Sequence, residues 1–281
     1  MKIITKLSGL RKEIKQAKRK NRTIGFVPTM GALHKGHLSL IRKARRQNDI
    51  VIVSIFVNPI QFGPKEDYAS YPRNLKLDAQ LCGKEKTDII FYPDAKEMYP
   101  PNYKTYVTVE HLGDVLCGRS RLGHFKGVAT VVTKLLNIVN PDIAYFGQKD
   151  AQQAIIIKKL VCDLNMPVKI KIMPTVRESN GLALSSRNVY LNSTERKDAL
   201  VLYQALQLAK DLIRRGVRDA GKITSQMKHL IKKKETAKID YVSIVNLENL
   251  EPVKKITKNC LIAVAVWIGR TRLIDNIIIS H

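Results

Sequence analysis

The sequence predicts an α/β fold, a doubly wound parallel sheet followed by a smaller α+β domain, on three observations. Short runs rich in β-branched residues alternate with stretches of helical spacing; they are Thr23 to Val27, Ile50 to Val57, Asp88 to Tyr92, Ile143 to Phe146 and Val168 to Val176. That is the pattern of strands covered on both faces of a parallel sheet. Polar residues cluster directly after several of these runs, at the strand ends where open parallel sheets bind ligands. From Ser193 onward the order changes to two long helical segments, Ser193 to Arg215 and Arg218 to Lys234. Strands near Ile239 to Asn246, Leu261 to Trp267 and Leu273 to Ile279 follow, as in an α+β unit. A boundary near Val176 gives domains of residues 1–176 and 177–281.

Composition bounds the function classes. With 281 residues and 44% hydrophobic content the chain has material for one or two cores. Met1 to Arg22 is studded with Lys and Arg and lacks the apolar stretch of a signal peptide. The longest apolar run, Leu261 to Ile268, is too short to span a bilayer. A cytoplasmic location without a membrane partner is therefore expected. Cys82, Cys117, Cys162 and Cys260 are scattered, with no C-x-x-C spacing, and read as buried thiols rather than as a disulfide framework or a zinc knuckle. The formal charge of +25, from 49 Lys and Arg against 24 Asp and Glu, would attract nucleic acid. The excess is spread from Arg11 to Lys255, however, and aromatics are only 6%. A dedicated nucleic-acid binder joins a basic patch to a recognisable motif and stacking aromatics, so no specific nucleic-acid partner is expected.

In chain order, Ser8 to Lys20 is a helix that packs Leu7, Leu10, Ile14 and Ala17 inward behind a basic face. Thr23 to Val27 is then a strand that Pro28 stops, because proline cannot donate to a ladder. Gly31 turns the chain, and Lys35 to Gln47 has helical spacing. His34 and His37 fall at the helix start, three residues apart on one face, where free backbone N–H groups suit an anion, above all a phosphate. Their imidazoles add donors for negative charge on a phosphorus under attack. A lone histidine there would be a cap or a core residue; a pair between Gly31 and Gly36 points further. Zinc would call for an H-E-x-x-H spacing or a third ligand nearby, and the stretch has neither.

The stretch Gly25 to His37 resembles the H-x-G-H motif of the nucleotidylyltransferase superfamily, which class I aminoacyl-tRNA synthetases share. In full, Pro28-Thr29-Met30-Gly31-Ala32-Leu33-His34-Lys35-Gly36-His37 is similar to the pantothenate synthetase family. The resemblance implies a Rossmann-like first domain that binds nucleotide and pantoate, and a second domain acting as a lid. It further implies ATP as a substrate with Mg2+, the substrates pantoate and β-alanine, and a homodimer.

The rest of the chain can be taken against that likeness. Asn58 and Gln61 follow the second strand. Neutral amides suit a small hydroxy acid whose carboxylate must stay nucleophilic, although Asn58 alone is equally a turn residue. Within the resemblance both are pantoate-binding. Asp78 lies on a helix, where the family carries an acidic residue near the magnesium and phosphates. Gly118 to Phe125 has nearly the glycine spacing of a P-loop, but His124 and Phe125 stand in place of the Lys and Ser/Thr. Here the family shows Arg-Pro-Gly-His-Phe-x-Gly-Val; this chain has Leu122 for the proline and keeps Gly123, His124, Phe125, Gly127 and Val128, followed by a helix from Val128 to Val139.

After Ile143 to Phe146 come Gly147-Gln148-Lys149-Asp150-Ala151-Gln152-Gln153 and a helix to about Leu164. A lysine can meet phosphate oxygens as a point charge, and an aspartate can accept from a ribose hydroxyl; by themselves Lys149 and Asp150 could be only a helix-start ion pair, but beside the histidines they read as nucleotide chemistry. Gln153 can hold the acid. Family members often have Glu in place of Gln148. Gly181-Leu182-Ala183-Leu184-Ser185-Ser186-Arg187-Asn188 resembles the family's K-M-S-K-S-like loop, with two hydroxyls and a cation for phosphate oxygens. Some relatives have Met for Leu184. The resemblance thus implies His34, His37, Lys149 and Arg187 as catalytic. It adds Met30, Gly147, Asp150, Val176, Leu184, Ser185 and Ser186 around ATP, Gln61, Gln153 and Asn58 around pantoate, and Asp78 at the metal.

Two rivals are weaker. A nucleotidylyltransferase acting on a phosphorylated acceptor would want cations where this chain has Asn58, Gln61 and Gln153. A tRNA synthetase would need an anticodon-binding region larger than the residues after Val176 provide.

Overall fold

The computed structural model describes residues 1–64, 66–257 and 259–280. Elements run β1 (Lys2–Ile4), α1 (Leu7–Arg19), β2 (Ile24–Thr29), α2 (Lys35–Gln47), β3 (Ile50–Ile55), α3 (Leu75–Lys84), β4 (Ile89–Phe91) and α4 (Ala95–Met98). There follow α5 (Cys117–Ser120), α6 (His124–Val139), β5 (Ile143–Gly147), α7 (Ala151–Asp163) and β6 (Lys169–Met173). The last group is α8 (Ser193–Asp198), α9 (Leu200–Arg214), α10 (Ala220–Lys232), β7 (Ala237–Asn246), β8 (Cys260–Ile268) and β9 (Thr271–Ile279). Short 3-10 turns occupy Pro59–Gln61, Gln148–Asp150 and Ser186–Tyr190.

Two compact units divide the chain. One comprises Met1–Asp114, Gly118–Gly147 and Ile156–Pro174; the other comprises Val115–Cys117, Gln148–Ile155 and Thr175–His281. The first holds a six-stranded sheet in the order β1-β4-β3-β2-β5-β6, with every pairing parallel. Leu40, Ile41 and Ala44 of α2 pack with Val27, Val51, Val53 and Ile90 from three strands, which is why those strands read as nearly unbroken apolar runs. The strand order reverses between β2 and β5, and ligands of doubly wound sheets bind at the carboxyl ends beside such a reversal.

The second unit has the antiparallel sheet β7-β8-β9. One face of β8, Ile262, Val264, Val266 and Ile268, packs with Leu202, Ala205, Leu206 and Ala209 of α9, strand period 2 meeting helix period 3.6. The predicted fold class is therefore the observed one.

Four local readings need correction. β2 does not stop at Pro28 but runs to Thr29. Ile24 accepts from Asp142 on the β5 side, and the β5 register ends at Phe26. Pro28, two residues on, faces that same side where no ladder remains, so its missing N–H removes no bond. The predicted helix from Ser193 to Arg215 is broken at Ala199, where Leu202 N bonds Ala199 O in a tightened i to i−3 turn. The apolar stripe continues across the break, so periodicity does not reveal it. The helix expected from Val128 starts at His124, capped by Gly123 in the left-handed region. Of the four cysteines expected to be buried, Cys162 is exposed. The three residues of β1 carry too little pattern to be read from sequence; pairing with β4 makes them a strand. Among the described residues, no helix is long and apolar enough to cross a membrane.

Candidate active site

The first part of the site is the connection from β2 to α2. Gly31 has φ +84°, and a Cβ there would meet Asp78 Oδ2 at 2.9 Å and Ile55 Cγ2 at 3.0 Å; only glycine turns the chain so closely over α3. Asp78, 1% exposed on α3, accepts from Leu33 N at 2.8 Å and Ala32 N at 3.0 Å. Burial pushes its carboxyl above the ordinary range against the opposing pull of the Leu33 and Ala32 N–H groups. Its carboxylate thus holds the loop backbone. Thr29 Oγ1, which donates to Ser54 O at 2.8 Å, accepts from Gly31 N at 3.2 Å.

His34 is the N-cap of α2, and the pair forms a reciprocal cap. Gly36 N donates to His34 Nδ1 at 3.1 Å and His34 N to His37 Nδ1 at 3.4 Å. The ring centroids are 4.1 Å apart. An imidazole that accepts at Nδ1 is neutral and carries its proton on Nε2, so the caps define both rings as Nε2–H donors. The first turn of α2 holds no acidic residue, and the start of a helix favours anions. Capping and anion binding are compatible because they use different ring nitrogens.

The second part follows β3. Asn58 is 1% exposed and fully engaged: Nδ2 donates to Gln61 Oε1 at 3.0 Å and Gly127 O at 3.1 Å, and Oδ1 accepts from the Tyr99 hydroxyl at 2.8 Å. Gln61 Nε2 donates to Met30 Sδ at 3.1 Å, which brings two sequence-predicted residues together. The Gln61 carbonyl accepts from His124 Nδ1 at 2.8 Å, and Arg121 Nη1 donates to His124 Nε2 at 2.9 Å. Arg121 also forks onto Glu66 at 2.8 and 2.6 Å. Burial draws the Glu66 carboxyl up, but the bonds and charge of Arg121 outweigh it and hold the group below its ordinary value. The loop that imitates a P-loop in its glycines is thus a brace for the Gln61 turn. Gly127 completes the brace: a Cβ there would lie 2.5 Å from Ile60 O and 2.6 Å from Gln61 Cα.

The remaining predicted residues follow β5, whose last residue is Gly147. In the second unit, Lys149 Nζ lies 3.6 Å from Asp150 Oδ1. Gln153 is half-buried in the first turn of α7. Its buried neighbour Gln152 accepts from Cys117 N at 3.0 Å and donates to Val115 O at 2.7 Å, a structural duty. Val176 and Leu184 meet across a turn through Leu184 N to Val176 O at 3.0 Å. Ser185 caps the 3-10 turn that holds Ser186 and Arg187, accepting from Arg187 N at 3.3 Å.

Tyr99 and Gly127 were missed by sequence reasoning. Tyr99 lies in a Met-Tyr-Pro string with no chemical signature; Gly127 sits within the quoted motif, but nothing in its spacing says that a helix backbone touches Gln61 there. Among the described residues, no group of three or more His, Cys, Asp or Glu could hold a metal ion. Mg2+ is commonly held by one or two carboxylates, substrate phosphates and water, so an ion carried by a triphosphate needs no such group.

Residues 2–278 match the family model for pantoate-beta-alanine ligase. A pantothenate synthetase of Caldicellulosiruptor saccharolyticus is 57% identical over 280 residues, covering 100% of both chains. One from Thermotoga petrophila is 56% identical over 280 residues, again covering 100% of each. The crystal structure of pantothenate synthetase from Thermus thermophilus superposes with a TM-score of 0.94 at 42% identity, covering 99% of each chain. The pantoate-beta-alanine ligase of Francisella tularensis, complexed with beta-gamma ATP and beta-alanine, gives a TM-score of 0.80 at 38% identity over 99% of this chain and 97% of that one.

Proposed function

The chain belongs to the pantoate–β-alanine ligase family, and from that premise we propose how its residues divide the work. The enzyme is an AMP-forming ligase that condenses pantoate with β-alanine at the expense of ATP. A carboxylate is a poor acylating agent, so its oxygen first attacks the α-phosphorus of ATP, giving pantoyl adenylate and pyrophosphate. The β-alanine amine then attacks the acyl carbon and AMP departs. No protein nucleophile is needed; the protein supplies positioning and charge stabilisation.

The reciprocal cap of His34 and His37 carries this reading. Two Nε2–H donors at the start of α2 suit the phosphate oxygens as negative charge builds on them. Lys149 and Arg187 offset charge on phosphate oxygens, and the hydroxyls of Ser185 and Ser186 donate to phosphate oxygens. Asp150 accepts from the ribose, and Met30, Gly147, Val176 and Leu184 surround the nucleotide. Gln61 and Gln153 align pantoate, Asn58 acting through Gln61. When bound with ATP, magnesium would shield the charge of the triphosphate. Asp78 serves this site by holding the loop that bears the histidines. A homodimer and a cytoplasmic location belong to the same proposal; sedimentation at working concentration tests the first.

The decisive experiment is ATP–pyrophosphate exchange with pantoate present and β-alanine absent. Pantoate-dependent exchange is expected. Folded protein that binds ATP yet exchanges nothing would overturn the adenylate route and bring forward a nucleotidylyltransferase acting on another acceptor.

A further inference from the structure

Two adjacent residues of β9 reach, within the second unit, both backbone segments to which the proposed function assigns cations for the phosphates. Asn276, 4% exposed, donates from Nδ2 to the carbonyls of Gln148 and Lys149, each at 2.9 Å. Gln148 Nε2 returns a bond of 3.4 Å to Asn276 Oδ1. Asp275, 3% exposed, forks onto Arg177, with Oδ2 2.5 Å from Nη1 and Oδ1 2.9 Å from Nη2. Arg177 donates to Gly181 O at 3.1 Å, lies over the Tyr203 ring at 4.8 Å and bridges to Ala183. It therefore fixes the turn whose outgoing arm becomes Ser185, Ser186 and Arg187. Asn276 N donates to Asp275 Oδ1 at 2.8 Å, locking the two side chains to one stretch of backbone.

Successive strand residues point to opposite faces, so one dipeptide can serve two segments. Each is a 3-10 turn or the approach to one, whose hydrogen-bond geometry is poorer than that of an α-helix. A buried amide with its donors used on two carbonyls, and a buried carboxylate fully paired with a guanidinium, are strong constraints on geometry.

We propose that Asp275 and Asn276 are positioning residues for the adenylation step. Asn276 sets the main chain that carries Lys149. Asp275, through Arg177, sets the loop that carries Ser185, Ser186 and Arg187. Neither touches a reacting atom. The inference rests on the roles given above to Lys149 and Arg187, and its test separates the two.

The test is a double-mutant cycle read by pantoate-dependent pyrophosphate exchange, with folding checked by circular dichroism. Asn276→Ala is expected to slow exchange by about tenfold to a hundredfold, the scale of a small misplacement of a catalytic group. In the Lys149→Ala background the same change should alter the rate by less than about twofold, because there is no lysine left to position. Equal losses in both backgrounds would overturn the proposal. Asn276→Asp, which keeps the volume and removes the donor pair, should match Asn276→Ala and keeps the test open if the alanine variant does not fold; parental exchange from Asn276→Asp would overturn the clamp. The other arm pairs Arg177→Lys with Arg187→Ala, where the same non-additivity is expected and additive losses count against it. A Lys149→Ala enzyme with the parental rate would instead refute the lysine's role, and the proposal with it.

Discussion

Asn58 donates a side-chain N–H to Gln61 Oε1 at 3.0 Å, so Gln61 is held with its side-chain carbonyl occupied and its NH2 directed to Met30 Sδ at 3.1 Å. The polarity originates in Tyr99, whose hydroxyl donates to Asn58 Oδ1 at 2.8 Å. Removing that hydroxyl leaves a buried acceptor without its donor, a loss of about 1–3 kcal/mol. Tyr99→Phe is therefore expected to raise KM for pantoate about tenfold while KM for ATP changes by less than about twofold. Steady-state kinetics in each substrate will check it; equal shifts in both would contradict a role confined to the acid.

Gly127→Ala should act on the same amide from behind. The new Cβ would meet main-chain atoms of Ile60 and Gln61, which cannot rotate away. We expect about 1–3 kcal/mol of destabilisation together with a raised KM for pantoate. Thermal melts and kinetics measure the two effects separately.

His37→Ala and Lys149→Ala are each expected to cost about a hundredfold to a thousandfold in exchange rate, as for loss of one preorganised donor. Circular dichroism should be unchanged. Near-parental rates from either would remove that residue from the chemistry.

The Glu66–Arg121 pair gives a pH dependence with a definite sign. The folded carboxyl lies below its ordinary value, so the unfolded chain takes up its proton first as pH falls. The stabilisation is present above about pH 4.3 and is lost as pH falls through the folded value. Glu66→Gln should melt below the parent at neutral pH, and the gap should close as the pH falls through the lowered folded value. A gap that stays constant over the whole acid range would show that the pair contributes no linkage.

Thiol labelling should find one fast cysteine. Cys162 is exposed, whereas Cys82, Cys117 and Cys260 are buried, and burial pushes the Cys82 thiol up to about 11. Mass spectrometry after brief labelling of native protein should place the adduct on Cys162; rapid modification of Cys82 would contradict the packing of α3.

The parallel sheet was legible because each of its longer strands is a run of buried β-branched residues, a property of composition over a few neighbouring positions. The histidine pair was legible for the same reason: a cap and a first-turn residue three positions on are set by a few neighbouring residues at a helix start. The role of Asp78 was not, because an aspartate on a helix looks alike in sequence whether it faces water, a metal or the backbone of Ala32 and Leu33, residues 46 and 45 positions away.

By itself the sequence determined the fold class, the strand ends at which polar residues gather, and the family whose motifs it carries, since all of these depend on short-range pattern. Tertiary structure alone decided which nitrogen of each histidine is used in capping, which partner each edge of the Gln61 amide takes, and that Asp275 and Asn276 hold segments a hundred residues or so away. Those outcomes depend on hydrogen bonds between distant segments, whose partners are chosen by the packing of the whole chain and leave no periodicity behind.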